Sequence, residues 1–380
     1  MKVKLKTGWS KVRFGDVVEL SKERSSDPEN DGFERFLGLE HIEPEDLKIR
    51  RWGNIAEGTT FTNVYRSGQV LFGKRRAYLR KVAVADFDGV CSGDIYVLKV
   101  KNDYLLPELL PYICQSENFF EHAIATSAGS LSPRTNWKSL AEYEFALPPI
   151  EEQIEITAVL NSIEQSIDCN LELRIAGYEL WQSLAFKEFN IESSKKDSIL
   201  GAHYLRITEQ VDANNEYFNE LPLITPENLS KNTGLIYDNY NKASLAKSNK
   251  FKFPVGAILY SRIRPYFNKV ALASFEGLCS TEIYPLIPKG SLLPEYFLEL
   301  LLSKPFTRFA VSGMKGTGFP RVSHNHIQRF PVNIPPVESQ KKYLSVAMPL
   351  RNLLKTTNYR IEYLKKLKND YLIGSVTCDF

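Results

Sequence analysis

The chain has 380 residues, enough for two domains, with 43% hydrophobic and 24% charged residues and a formal net charge of +3. It has no apolar run of about eighteen residues, and its N-terminus, MKVKLKTGWSKV, lacks the apolar core of a signal peptide; a cytoplasmic protein without a membrane span is expected. Its five cysteines (Cys91, Cys114, Cys169, Cys279, Cys378) show no CxxC spacing, which argues against a disulfide framework or a zinc site and for buried free thiols.

In chain order, Trp9–Leu20 reads as a short helix or turn packing an aromatic, and 21–32 as a polar loop. Phe36–Leu47 begins as a strand and ends in a turn. Val70–Phe72 is an apolar strand, 74–81 a basic loop, 82–85 a second strand and 90–100 a third with partial alternation. Pro107–Ala125 reads as a helix, and 126–137 as a loop of small residues. After Leu147-Pro148-Pro149, apolar residues recur at Leu160, Ile163, Ile167, Leu171, Ile175, Tyr178 and Trp181. Steps of three and four give a long helix with one buried stripe. A second such helix follows Ile334-Pro335-Pro336, with its stripe at Leu350, Leu354, Thr357, Ile361, Leu364 and Tyr371; Pro349 is expected to kink or break it.

These repeats reflect a duplication. Gly68–Leu98 aligns without a gap on Gly256–Leu286, matching Arg76 with Arg264, Tyr78 with Tyr266, Lys81 with Lys269 and Cys91 with Cys279. Leu106-Pro107-Glu108 falls on Leu293-Pro294-Glu295, and Pro133-Arg134 on Pro320-Arg321. No twin of the Trp9 segment is legible after Ser198, and the polar stretch Phe189–Ser198 reads as a hinge. The expected fold is α+β: a tandem duplication of a globular α/β unit followed by a long helix, the two helices packing along their apolar seams.

Charge is patterned on the repeat. Acidic residues are absent from 58–85 and 122–141, and again from 239–275 and 300–337, while each of these windows carries Lys or Arg. Acid-free basic windows at corresponding places suggest a polyanion-binding surface. The candidates in the first half are Lys74, Arg75, Arg76, Tyr78, Arg80, Lys81, Ser132, Arg134 and Asn136. In the second they are Arg262, Arg264, Tyr266, Asn268, Lys269, Lys315, Arg321 and His324. Arg suits guanine edges and phosphate, Asn suits adenine, and Tyr can stack or donate. Recurring residues are expected to hold phosphate or structure, and differing ones to read bases. Catalytic motifs fit poorly. Leu147 and Ile334 stand before Pro-Pro where an amino-methyltransferase needs an amide or carboxylate, and Asp46-Leu47-Lys48 has no acidic twin at Asn228-Leu229-Ser230. No phosphate-binding loop occurs, and His324-Asn325-His326 lacks a nearby carboxylate or thiol in sequence. No catalytic residue and no metal ligand is expected.

The doubled unit of apolar strand, basic loop and strand, with Pro-Pro-x-x-x-Gln opening each long helix, resembles the specificity subunit of type I restriction-modification systems. The resemblance covers nearly the whole chain. It implies target recognition domains at 1–150 and 189–336, with spacer helices at 151–188 and 337–380 forming an antiparallel coiled coil. Each domain would read one part of a split double-stranded DNA target, the helices setting the gap and docking two methyltransferase subunits. It further implies restriction subunits in the complex, no membrane, and no catalysis or cofactor in this chain. S-adenosylmethionine, ATP and Mg would belong to the partners. Two other readings stand beside it: an enzyme with unrecognised motifs, and a structural adaptor that binds protein alone.

Overall fold

The computed structural model describes residues 5–190, 198–212, 215–246 and 248–376. Most of the expected hinge, and Cys378, lie outside these residues. The chain divides into two compact units: Met1–Asp168 with Ile361–Phe380, and Cys169–Arg360. The division falls inside both long helices, Ile150–Phe189 and Val337–Val376, so each unit takes one part of each.

The strands of the first unit are β1 (Ser10–Arg13), β2 (Val18–Leu20), β3 (Arg35–Leu37), β4 (Gly53–Asn54), β5 (Asn63–Tyr65), β6 (Val70–Gly73), β7 (Val82–Val84), β8 (Gly89–Cys91), β9 (Ile95–Val100) and β10 (Glu144–Leu147). One sheet has the order β2-β9-β6-β7 and is antiparallel throughout. A second, β4-β3-β8-β5, contains the parallel pair β3–β8, and β1 pairs with β10. β6 is buried on both faces, which explains its unbroken apolar run. Val70 and Phe72 face a core shared with Phe119, Phe120, Ile156, Leu160 and Leu372, while Leu71 faces a second core with Leu37, Tyr65 and Val97.

The second unit repeats this plan with β11 (Ser198–Ile199), β12 (Tyr204–Arg206), β13 (Gln210–Val211), β14 (Pro222–Ile224), β15 (Asn241–Lys242), β16 (Lys250–Phe253), β17 (Ile258–Ser261), β18 (Val270–Leu272), β19 (Gly277–Cys279), β20 (Ile283–Pro288), β21 (Met314–Lys315), β22 (Arg321–Val322) and β23 (Pro331–Val332). Its sheets are β12-β20-β17-β18, β13-β16-β19-β14-β15, β11-β23 and β21-β22. β11–β23 answers to β1–β10, so the Trp9 segment has a twin after all. Its residue types differ, and only the pairing shows the equivalence. The segment itself is strand, a four-residue helix (Phe14–Val17), then strand, and not the helix or turn expected.

Two further expectations change. The helix over 107–125 is two, Leu110–Gln115 and Glu117–Ala125. Ser116 ends the first and caps the second by accepting from the Phe119 N–H (3.4 Å). Ser303 does the same between Pro294–Leu302 and Lys304–Ser312. The strand over 90–100 is broken by a turn at Ser92–Asp94 into β8 and β9. Cys91, Cys114 and Cys279 are buried and free, but Cys169 is exposed.

The Pro-Pro-x-x-x-Gln motif is a latch at each helix start. Gln153 accepts from the Leu106 N–H (2.8 Å) and donates to the carbonyls of Tyr104 and Pro148 (2.8 Å each). Gln340 accepts from the Leu293 N–H (3.0 Å) and donates to the carbonyls of Ser291 and Pro335 (2.8 Å each). Both glutamines are buried, so all three bonds are shielded from water. The terminal helix is unbroken through Pro349, on an exposed face, where the missing N–H leaves only the Ser345 carbonyl without its helical partner.

Each unit holds its two helix parts antiparallel, as expected. In the first, Lys368 donates to Glu164 (2.7 Å) and Gln115 (2.9 Å), and Leu160 shares a core with Leu372. In the second, Arg174 donates to Asn358 (2.9 Å), and Gly177 faces Leu353 and Leu354 closely enough that a Cβ would touch both at 3.4 Å. The buried stripe runs through Leu160, Ile163, Ile167 and Trp181 but omits Ile175, which is 56% exposed.

Candidate nucleic-acid interface

In each unit the strand β6 or β17 leads into a tight turn whose backbone is strained in the same way. Arg76 (φ 54°) and Arg80 (φ 53°) bracket the turn 77–79, and Arg264 (φ 49°) and Asn268 (φ 44°) bracket 265–267. Left-handed backbone at a non-glycine residue costs about 1 kcal/mol or more and persists only where its surroundings enforce it. Here the bonds that enforce it are duplicated. The Arg76 and Arg264 N–H groups donate to the Pro133 and Pro320 carbonyls, both at 2.7 Å. Those of Lys74 and Arg262 donate to the Asp94 and Glu282 carbonyls at 3.0 and 2.9 Å. The turn is thereby tied to a second loop at 128–134 or 315–321, closed by the pairings Ala128–Arg134 and Lys315–Arg321.

A carboxylate sits behind each pair of loops. Asp94 accepts from Arg134 Nε (2.8 Å) and Arg75 (3.3 Å), and the Arg134 hydrogen bond holds its pKa below the ordinary 3.8. Glu282 accepts from Arg321 Nε (2.9 Å) and Nη2 (2.9 Å) and lies 4.0 Å from Arg262. Leaving aside Lys81, Lys269 and the Arg80–Glu117 pair, the two loops of each unit carry four cations near one carboxylate: Lys74, Arg75, Arg76 and Arg134 near Asp94, and Arg262, Arg264, Lys315 and Arg321 near Glu282. The surplus is three positive charges each. In the first unit Ser132 Oγ accepts from Arg75 (3.1 Å) and Arg76 (3.2 Å). In the second, Phe319 occupies the corresponding place and the Arg264 guanidinium lies 4.8 Å from its ring centre. Lys74 and Arg262 lie over the rings of Tyr96 and Tyr284, at 4.8 and 5.4 Å. Tyr78 and Tyr266 are 50% and 44% exposed beside the turn.

Six of the residues singled out from sequence have partners within their own unit. Lys81 and Lys269 each donate to a loop carbonyl, Leu39 or Pro226, at 2.6 Å. Asn268 is buried and donates to the Leu302 carbonyl (3.0 Å). Asn136 caps the helix Trp137–Ala141 by accepting from the Ser139 N–H (2.9 Å). Arg80 is paired with Glu117 and lies over the Phe120 ring. His324 shares a hydrogen bond with the Tyr204 hydroxyl (3.0 Å), and burial lowers its pKa. Asp94 and Glu282 were missed in the sequence reading. They lie just outside the acid-free windows, yet the ungapped repeat places one acid on the other.

The enzyme motifs weighed from sequence are likewise committed. Asp46 accepts from Arg50 (2.6 Å), and Lys48 and Arg50 both donate to Asp168 (2.5 and 2.6 Å). Asp88, directly before β8, is likewise held, accepting from Arg66 and the Ser67 N–H, each at 2.8 Å. Among the described residues no group of three His, Cys, Asp or Glu side chains is placed to hold a metal ion, and no helix is long and apolar enough to cross a membrane.

Against known proteins, the family model for the type I restriction modification DNA specificity domain matches twice, over residues 6–175 and 204–366. The chain is similar to the EcoDI specificity subunit of Escherichia coli, 30% identical over 195 residues, which are 48% of this chain and 42% of that protein. It is 30% identical over 95 residues to the MjaVIII specificity subunit of Methanocaldococcus jannaschii, covering 24% and 22%. The matches therefore span less than half of either relative. The solved type I S subunit of M. genitalium has a similar fold, with a TM-score of 0.66 at 14% identity over 100% of this chain and 99% of that one. A chain solved in a study of the assembly and conformational transition of a type I system gives 0.55 at 20% identity, covering 98% of both. The chain belongs to the type I restriction modification DNA specificity domain family.

Proposed function

We propose that this protein is the sequence-reading subunit of a type I restriction-modification complex and carries no catalytic step itself. Each unit reads one part of a split duplex DNA target, and the paired helices set the gap between the parts. The observation that carries this reading is the duplicated turn: an arginine in the left-handed region, tied to a second basic loop, with three surplus positive charges in each unit. Such a surface supplies phosphate affinity, and arginine and lysine side chains are suited to reading base edges. The partners are two methyltransferase subunits, docked on the helices, and a restriction subunit. S-adenosylmethionine, ATP and Mg act in those partners, in the cytoplasm.

The test is binding of the chain, assembled with its methyltransferase, to duplex DNA across a salt series. Affinity should fall steeply with salt, and target duplex should outcompete random duplex by about a thousandfold or more. Salt-insensitive behaviour with no preference for any duplex would instead support an adaptor that binds protein.

A further inference from the structure

Each hairpin on these basic surfaces carries a large apolar side chain that is mostly exposed. In the first unit the hairpin 128–134 turns at Gly129 (φ 111°) and presents Leu131, which is 89% exposed. In the second the hairpin 315–321 turns at Gly316 (φ 101°) and presents Phe319, 59% exposed. Neither belongs to a buried core cluster. Both hairpins meet the left-handed arginine of their unit. Arg76 Nη2 lies 3.5 Å from the Leu131 carbonyl oxygen, and the Arg264 guanidinium covers one face of Phe319. The two are not strict equivalents. By loop register Leu131 answers to Gly318, and Phe319 to Ser132. Each hairpin thus offers its apolar group from a different position on the same frame.

We infer that Leu131 and Phe319 are specificity-determining residues, each contacting the C5 methyl group of a thymine in the half-site read by its unit. The inference rests on the DNA-recognition reading above. Phosphate contacts made by the arginines give affinity but carry no sequence information. The thymine methyl is the apolar feature of the major groove, and an apolar side chain held at its edge discriminates A·T from the other pairs. Because the two hairpins present different groups from different positions, the two half-sites are read differently although the supporting turns are alike.

The experiment uses the complex of the full chain with its methyltransferase subunits, on duplexes in which uracil replaces thymine in one specified block at a time. Uracil pairs as thymine does and lacks only the methyl group. For the unaltered protein, uracil in the block read by the first unit should reduce binding about fourfold, the effect of one buried methyl. Leu131→Ala should lose that sensitivity and keep its response to uracil in the other block; Phe319→Ala should show the reverse. Each variant should still prefer its own block to a scrambled one, which shows that the altered unit is folded, as the exposure of both side chains favours. Equal binding of thymine and uracil by the unaltered protein would overturn the inference. So would full uracil sensitivity in either variant, or a block made of G·C pairs alone. A complex that prefers no split target would refute the underlying reading instead.

Discussion

The two units share their supports and differ at their tips. Gln153 and Gln340 make the same three bonds, Arg76 and Arg264 donate to the same prolyl carbonyl at the same distance, and Lys81 and Lys269 brace the same loop. Yet the polar groups that fix each unit to its helices are unlike. The first buries Lys368 between Gln115 and Glu164. The second buries Glu299, which accepts from Trp181 Nε1 (2.6 Å) and pairs with Arg351 (3.0 Å). Burial pushes the Glu299 pKa up, and Arg351 opposes that rise. The tips diverge too, with Ser132 hydrogen-bonded to two arginines in one unit and Phe319 stacked under one arginine in the other. After a duplication, main-chain supports cannot drift without unfolding the unit, whereas surface side chains can. What is alike therefore marks structure, and what is unlike marks either recognition or the pairing of each unit with its own helix parts.

The largest test of this comparison is geometric. Removing seven residues from each long helix, where the units part near Asp168–Cys169 and Arg360–Ile361, keeps the phase of the helix seam and shortens it by about 10 Å. The gap in the target should shrink by about three base pairs, with both blocks unchanged; a change in the blocks would show that the helices read sequence. Next come the latches. Gln153→Ala and Gln340→Ala should each cost about 3 kcal/mol, since each leaves a buried N–H and two carbonyls unpaired. Hydrogen exchange should show the loss confined mainly to the unit concerned, and loosening of both units alike would break the comparison. Arg75→Ala and Arg262→Ala should each shift base preference in one block by about 1–3 kcal/mol in a selection from randomised duplexes. Arg76→Ala and Arg264→Ala should instead weaken all duplexes alike and lower the salt slope by about one. If all four behave alike, the sorting of the turn is wrong. The smallest effect is acidic. The Asp94 pKa is lowered in the fold, so its pairing with Arg134 and Arg75 stabilises the first hairpin above the ordinary 3.8 and is lost as pH falls through the lowered value. Protection of the Arg134 amide, relative to its intrinsic exchange rate, should fall as pH drops below the ordinary 3.8, and Asp94→Asn should remove that dependence.

Much of this was legible in the residues. The duplication was visible because Gly68–Leu98 and Gly256–Leu286 align without a gap, and the long helices because apolar residues keep a period of three and four. The breaks at Ser116 and Ser303 were hidden by apolar patterns that run on through them. The twin of β1 was hidden because strand pairing depends on backbone, not on residue type. The helix stripe shows that a face is buried but not against what, so the sharing of each helix between both units could not be read, nor the exposure of Ile175. At the candidate interface, residue type pointed to a turn that recurs in both units but not to the partners of its side chains. Asn268, Lys81 and Lys269 look like DNA-binding residues until their partners are known to be carbonyls of their own unit. Leu131 and Phe319 carry no charge, so a search for basic windows passes over them, although they are the most exposed large apolar groups of those surfaces.

The central claim, two readers on one split target, is tested most directly by expressing the chain with its methyltransferase in a host free of adenine methylation and mapping the modified adenines across the genome. The account predicts a motif of two short specified blocks separated by a fixed unspecified gap. A single continuous motif, or no modification from a correctly assembled complex, would contradict it.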